Sequence, residues 1–413
     1  FLDPILQLQS FRFELGSEIG AFKVSGVRQD SVLALQLTTG SNAQKSTLSI
    51  DPSVLLDAAL PMRIAAGGQL EVGQALQATV FNPSTMATQR LELRVTARDT
   101  LIVTDSARYD AARRQWLASS ADTIPVWRLE QKLSGITVSS WVDEDGHLVK
   151  AESPLGYTLE RTAFELADQD WKRSLADGSL TRSYGAVIER TAIAANVDLA
   201  NVAARDSLRV RMSGIDLRGF DLAGGRQQLR ADTLFIKREA SALLRATFAL
   251  PYRGTGEPAG ELGSTPLIQV QHPEIVRTAR QIADGSSDPV RVAERLNEWV
   301  YRQLAKNVTL SVPSAEQVLR ARQGDCNEHT VLYVALARAL GLPARTAVGL
   351  VHVRGRFYYH AWPEVWLADR WVAVDPTLGQ FPADATHLRF ITGELARQIE
   401  LIRLIGRLQL EVV

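Results

Sequence analysis

Asp325, Glu328 three residues later, and an apolar run through Val331, Leu332, Val334, Ala335, Leu336 and Ala339 together predict a helix with a reciprocal N-terminal cap. Gly341 ends it, and Pro343 lies just beyond. With Asp325 at the cap, the first helical position falls to Cys326, the only cysteine in 413 residues. Unpaired N–H groups and the positive end of the helix dipole favour a thiolate there, so a lowered thiol pKa is expected. Position alone leaves two readings open: a reactive nucleophile, or a small apolar core residue.

Two aromatic strand patterns follow, Phe357 to Trp362 and Trp371 to Thr377. Alternation places Tyr358, His360 and Trp362 on one face, and Asp375 at a strand end where Pro376 and Gly379 signal a turn. Nucleophilic cysteine chemistry needs an imidazole to take and return a proton, and a carboxylate to orient that imidazole. Cys326, His360 and Asp375 supply those groups. His329 is a rival imidazole, three residues after Cys326 and on the same side of the helix. It would point along the helix surface, whereas a base must face the nucleophile across an open cleft. A metal site from Cys326, His329 and His360 is a second rival. The chain has no CxxC and no HExxH, so neither a metal nor another cofactor is expected.

Four blocks in order resemble the transglutaminase-like superfamily of papain-like cysteine enzymes. They are Gly324 to His329 (GDCNEH), Ala339 to Arg345 (ALGLPAR), Tyr359 to Trp366 (YHAWPEVW) and Val374 to Thr377 (VDPT). His360 lies 34 residues after Cys326 and Asp375 lies 15 after His360, which are family-like gaps. The resemblance covers roughly residues 270 to 390. It implies Cys326 as nucleophile, His360 as base and acid, and Asp375 as the orienting carboxylate.

The backbone N–H of Cys326 is the natural first oxyanion donor, because a helix start aims it at the carbonyl under attack. Papain-like enzymes usually add a side-chain donor from upstream, and Gln317 and Gln323 lie there without the family spacing. Gln317 also completes a capping box with Ser314, a purely structural task. Trp362, Trp366 and Trp371 are candidates for the cleft wall, with core packing the expected role of at least two.

At roughly 150 residues per domain the length suggests two or three domains. The expected organisation is α+β. A β-rich domain covers 1–165, a second β-rich region with its linker 166–258, and a papain-like, transglutaminase-like catalytic domain 259–413. Period-two alternation at Phe11 and Phe13, at Leu33, Leu35 and Leu37, and at Leu91, Leu93 and Val95 marks the first region. Asp145-Gly146 reads as a hairpin turn and not a calcium loop, since Trp141 stands where an acidic residue is needed. A helix is expected over Asp168 to Ala176, and Leu208, Val210 and Met212 alternate in the second β-rich region. The glycines and proline between Arg253 and Gly263 mark a linker without dinucleotide-binding spacing. Helices are expected over Pro273 to Ala283, from Pro289 with a Val292, Leu296, Val300 stripe, over 315–321, and over Leu395 to Ile405.

Lys plus Arg and Asp plus Glu balance at 46 each, so no global field draws the chain to nucleic acid or an anionic membrane. No apolar run of about 18 residues is present to span a bilayer. The chain starts at Phe1 without methionine, which suggests a removed leader or anchor, and exported relatives suggest a bacterial periplasmic or cell-envelope location. The expected activity is acyl transfer through a thioester on Cys326, acting on a protein, peptide or small amide substrate. Hydrolysis is preferred because water needs no second binding site. Amide formation with a primary amine uses the same three residues and is the alternative. A reading from another class is a non-catalytic binding or scaffold protein whose β regions recognise a partner.

Overall fold

A computed structural model of the chain describes residues 2–3, 7–16, 21–39, 42–51, 53–56, 59–66, 70–83, 86–133, 136–153, 158–178, 185, 188–199, 205–307, 312, 314–393 and 399–413. The fold is mixed α+β. It divides into one unit of Phe1–Arg12, Ser25–Leu35 and Thr47–Arg190 and another of Phe13–Val24, Gln36–Ser46 and Thr191–Val413. A meander of β1 (Ser10–Gly16), β2 (Ala21–Gln29), β3 (Val32–Thr39) and β4 (Asn42–Ser49) has its residues divided between the two. The alternation along β3 buries Leu33, Leu35 and Leu37.

The first unit is built on β5 (Leu55–Leu56), α1 (Leu60–Ala66), β6 (Ala75–Asn82), β7 (Ala87–Asp110), β8 (Gln115–Leu133), β9 (Ile136–Val142), β10 (Leu148–Glu152), β11 (Thr158–Glu160) and α2 (Phe164–Ala176). Its strands form one sheet in the order β11-β10-β9-β8-β7-β6-β5. Alternation again does the burying, with Leu91, Leu93 and Val95 inside. In the β9–β10 turn, Asp143 Oδ1 accepts from the N–H groups of Asp145 and His147 at 3.1 and 2.7 Å, and Arg161 reaches Oδ2. Helix α2 begins four residues before the expected Asp168. The Gln169 amide holds it to β8, accepting from Trp116 N–H at 2.6 Å and donating to Trp116 C=O at 3.1 Å.

The second unit contains β12 (Ile193–Ala194), β13 (Ser207–Ser213), β14 (Gln227–Arg230), β15 (Thr233–Lys237), α3 (Glu257–Gly260), α4 (Pro273–Ala283), α5 (Pro289–Gln303), β16 (Ala305–Lys306), α6 (Ala315–Ala321), β17 (Gln323–Gly324), α7 (Cys326–Ala339), β18 (Ala344–Val353), β19 (Arg356–Leu367), β20 (Arg370–Ala373), β21 (Leu388–Thr392) and β22 (Gln409–Val412). The helix signals act as the residues dictate. Asp288 caps α5 by accepting from Val290 and Arg291 N–H at 2.9 and 3.3 Å, with Pro289 in the first turn. Val292, Leu296 and Val300 are fully buried. Helices α4, α5 and α6 pack with α7, whose Leu332, Tyr333, Val334, Ala335 and Leu336 sit in the same core. Each of the leucine and valine side chains among them contributes about 1.5 to 3 kcal/mol of burial.

Strand β19 lies between β18 and β12, with β20 paired to its far end and β21 on the other edge of β18. Glu364 anchors it from within the protein, accepting from Arg345 at 2.7 Å and from Arg389 at 2.9 Å. Burial works against that carboxylate, but the two guanidinium groups outweigh it and hold its pKa below the usual range.

Three expectations about organisation change. Residues 191–258 belong to the same unit as the region after them, so the chain does not divide at 165/166 and 258/259. Strands β14, β15 and β13 form a sheet with β22, and Val210, Met212, Leu234 and Ile236 share a core with Val348, Leu350, Phe357 and Phe390. Local alternation identifies such strands but not their distant partners. The segment expected as a linker is held down instead. Glu257 pairs with Arg345 at 2.6 Å, Glu261 pairs with Arg338, and Arg338 donates to Gly263 C=O at 2.8 Å. Of the helix expected over Leu395 to Ile405, residues 395–398 lie outside the described ones and Ile399–Leu404 is a 3-10 helix. Among the described residues no helix is long and apolar enough to cross a membrane.

Candidate active site

The start of α7 is held by its own first turn. Asp325 accepts from Asn327 N–H at 2.9 Å and from the N–H of Glu328, while Glu328 Oε2 accepts from Asp325 N–H at 2.9 Å. Gly324 precedes them at φ +153°, where an added Cβ would overlap the Glu328 side chain, so glycine is required for the cap to close. The cap engages the second and third N–H groups of the helix, those of Asn327 and Glu328, and not that of Cys326 at the first position.

His360 is carried by β19 opposite Gly349 of β18, whose Cβ would collide with the Leu388 carbonyl on β21. Three strands therefore approach closely at the level of the imidazole. The His360 Nε2–H donates to Asp375 Oδ2 at 2.8 Å, which leaves Nδ1 for the Cys326 thiol, its hydrogen-bond partner. Asp375 lies just past β20, fully buried, and its Oδ1 accepts from Thr377 and Leu378 N–H at 2.7 and 2.9 Å. Cys326, His360 and Asp375 are thus brought together in series.

The electrostatics correct one expectation. Burial pushes the Cys326 thiol above its ordinary value, and the Asp325 carboxylate pushes it further. His360 and the Ala361 N–H pull it back without winning. The helix start alone therefore does not give a low thiol pKa, because burial, and after it the capping carboxylate of Asp325, favours the neutral thiol. Cys326 as a whole residue is partly buried. His360 compensates. Burial works against its charged form, but the Asp375 charge and hydrogen bond, with Cys326, raise its pKa to about 9. Asp375 is held well below the carboxylate range, with burial opposing and His360 and His387 prevailing.

The remaining candidates separate. His329 is buried and donates from Nδ1 to the Asp325 carbonyl at 2.6 Å, so its ring is turned back into the first turn of α7. Burial lowers its pKa. Gln317 is committed to structure. Its Oε1 accepts from Ser314 N–H at 2.9 Å and its Nε2 donates to Ala21 C=O at 3.3 Å. Gln323 is two residues before the cap, partly buried, and its Oε1 accepts from Asn307 at 3.0 Å. Trp362 is buried and stacks on His360 with ring centroids 6.1 Å apart, while Trp366 and Trp371 meet edge to face at 5.4 Å.

The sequence reading missed His387. Its Nε2 lies 2.9 Å from the same Asp375 oxygen that binds His360, and its Nδ1 lies 3.1 Å from Asp384 Oδ1. The signal available was three ionisable residues, Asp384, His387 and Arg389, in the mostly apolar stretch from Ala383 to Ile391. The ligand-type atoms of His360, Asp375 and His387 converge, but their N···O distances of 2.8 and 2.9 Å are those of hydrogen bonds.

Residues 276–376 match the family model of the transglutaminase-like superfamily, so a transglutaminase-like domain occupies this stretch. Similar solved structures include the "putative cysteine protease" of Cytophaga hutchinsonii, at 14% identity and TM-score 0.34, covering 49% of this chain and 83% of that one. The periplasmic domain of TgpA from Pseudomonas aeruginosa, bound to ethylmercury, aligns at 16% identity and TM-score 0.29, covering 43% of this chain and 74% of that one. A "putative protease" of Parabacteroides distasonis aligns at 14% identity and TM-score 0.22, covering 40% and 39%. No curated protein sequence matches the chain.

Proposed function

We propose that the chain catalyses thiol-dependent acyl transfer through a thioester on Cys326, and that its reaction is hydrolysis of a peptide or amide bond in a protein, peptide or small amide. The observation that carries the reading is the series Cys326, His360 Nδ1, His360 Nε2, Asp375 Oδ2 at the N-terminus of α7. Asp375 fixes the tautomer of His360, so Nδ1 carries the lone pair that takes the Cys326 proton. The sulfur then forms a bond to the carbonyl carbon. Negative charge collects on the carbonyl oxygen, where the Cys326 N–H at the helix start is the donor that meets it. His360 returns its proton to the leaving nitrogen as the C–N bond breaks. Water next gives a proton to His360 and its oxygen to the carbonyl carbon, and the thiolate leaves and recovers the proton.

The high proton affinity of His360 fits this scheme, because a thiol held above its ordinary pKa needs a stronger base. Hydrolysis is preferred over transfer to an amine because water needs no second acceptor site. Cys326→Ala should abolish turnover and leave the fold intact; turnover surviving that change removes the reading. Incubation with an acyl donor and a labelled primary amine decides between the two acceptors, and stable amine incorporation in preference to acid would replace hydrolysis with amide formation. The location proposed with this activity is the periplasm or cell envelope, which cell fractionation of the tagged chain checks.

A further inference from the structure

Asp375 accepts four hydrogen bonds, and one of them comes from a second imidazole that the proposed reaction does not use. Its Oδ1 takes two backbone N–H groups, and its Oδ2 takes both His360 Nε2 and His387 Nε2. Asp384, on the far side of His387, is also saturated. Its Oδ1 accepts from the Thr386 N–H at 2.9 Å and hydroxyl at 2.6 Å, and its Oδ2 accepts from Gln380 Nε2 at 2.9 Å. The side chains of His387 and Asp375 are wholly enclosed.

A neutral imidazole has one N–H and one bare nitrogen. Between two ionised carboxylates it would set a lone pair against a lone pair at one end, with no solvent to separate them. Only an imidazolium satisfies both neighbours. Burial disfavours that cation, but the hydrogen bonds and charges of Asp375 and Asp384 outweigh it and raise the His387 pKa. Asp384 is held well below the carboxylate range, with burial opposing and His387 and Thr386 prevailing.

We propose that His387 is a positioning residue, a permanent imidazolium clamped between Asp375 and Asp384, which fixes the Asp375 oxygen against His360 and limits the proton affinity that this oxygen confers. The proposal rests on the reading of His360 as the base. That base must both take and return a proton, so an Asp375 wholly at its disposal would leave it too reluctant to give the proton up. The two rings lie 6.0 Å apart, and Trp362 packs against both, at 5.1 Å from His387. A cation at His387 therefore opposes a cation at His360 across apolar surroundings. The rear of the clamp is rigid. Arg226 donates to the carbonyls of Ala383 and Asp384 at 2.9 and 2.7 Å, and Gln227 exchanges hydrogen bonds with the Arg389 backbone at 3.0 and 2.6 Å.

The charged and titratable groups acting on this array come from each neighbouring element. Cys326 and His329 come from α7, Lys306 from β16, His360 from β19, Arg226 from the segment before β14 and His352 from β18. Lys306 and His329 act on Asp375, and Arg226 and His352 act on Asp384.

Side-chain nitrogen NMR of the full chain tests the proposal without a substrate. His387 should show two protonated nitrogens from about pH 5 to 9, outside ordinary histidine behaviour. In His387→Gln, which keeps a donor but loses the charge, the His360 midpoint should rise by about half a unit or more. A bare nitrogen on His387, or a His360 midpoint that stays or falls, overturns the proposal. If His387→Gln does not fold, Asp384→Asn carries the test. His387 should then titrate within that range, and its failure to do so overturns the proposal equally. The acyl-transfer reading fails separately, if alkylating Cys326 in the wild-type chain leaves the His360 titration unmoved.

Discussion

His360 Nε2 lies 2.8 Å from Asp375 Oδ2, so the carboxylate decides which nitrogen of the imidazole carries the proton. Asp375→Asn presents an amide of the same shape that can leave His360 in the opposite tautomer. Turnover should drop about 10²- to 10⁴-fold, and the melting temperature should fall with it, because His387 loses one of the two carboxylates that hold it. A loss within about threefold, measured on folded protein, would contradict an orienting role for Asp375.

The same pair makes stability depend on pH. His360 has its pKa raised from 6.5 to about 9, so its contribution is full below the unfolded value and fades as pH rises through about 9. His387, also raised, acts in the same direction. Asp375 and Asp384 are lowered, so their contributions are present above the ordinary carboxylate pKa and are lost as pH falls. Urea midpoints should therefore decline from neutral pH towards pH 10 in the wild-type chain and decline less in His360→Gln. Equal slopes would show that His360 is not the titrating group.

Asp325 has two opposing effects on Cys326, capping its helix while its charge raises the thiol pKa. Asp325→Asn retains a good cap and removes the charge. The alkylation profile of Cys326 should shift to lower pH, with a melting temperature near that of the wild type. Asp325→Ala should remove the cap as well and cost about 1 kcal/mol in denaturant unfolding. A thiol profile unchanged by Asp325→Asn means that the carboxylate does not act on the sulfur.

The two glutamines should part company. Gln317→Ala breaks a buried capping box and should lower stability by about 1 kcal/mol while turnover per folded molecule persists. Gln323→Ala should leave stability nearly unchanged and lower kcat about 10²-fold if its amide donates to the developing oxyanion. Unchanged kcat in Gln323→Ala leaves the Cys326 N–H without that side-chain helper.

Gly349 permits the close approach behind His360. Gly349→Ala would drive a methyl group into the Leu388 carbonyl, and overpacking of this kind costs about 1 to 3 kcal/mol. Melting temperature and turnover should fall together, because β18, β19 and β21 must separate to admit it. A neutral substitution would mean that the strands yield without moving the imidazole.

What could be read in advance was local. Asp288, Ser314 and Asp325 announce α5, α6 and α7 within a few residues, because caps and apolar stripes are short-range signals. The placement of Cys326 at a helix start and His360 on a strand follows from the same kind of signal. Strand β18 did not emerge, since its run from Ala344 to Val351 is nearly all buried and has no alternation to betray it. The glycines after Arg253 correctly indicate turns, yet Glu257 and Glu261 find Arg345 and Arg338 far along the chain. His387 escaped for a related reason. No spacing rule ties it to Asp375, and only the fold of Gln380 to Asp384 brings it back.

Strand β22 pairs with β13, setting Val412 beside Val210 and Leu410 beside Met212. During synthesis the ribosome releases β13 roughly two hundred residues before its partner, and for that interval one edge of the strand has no native neighbour. The sheet that braces the clamp behind Asp384 is therefore finished only when residues 409–412 emerge. A nascent chain would carry Cys326, His360 and Asp375 in full while their support was incomplete. The support behind His360 and Asp375 would then wait on β22, which emerges about eighty residues after Cys326.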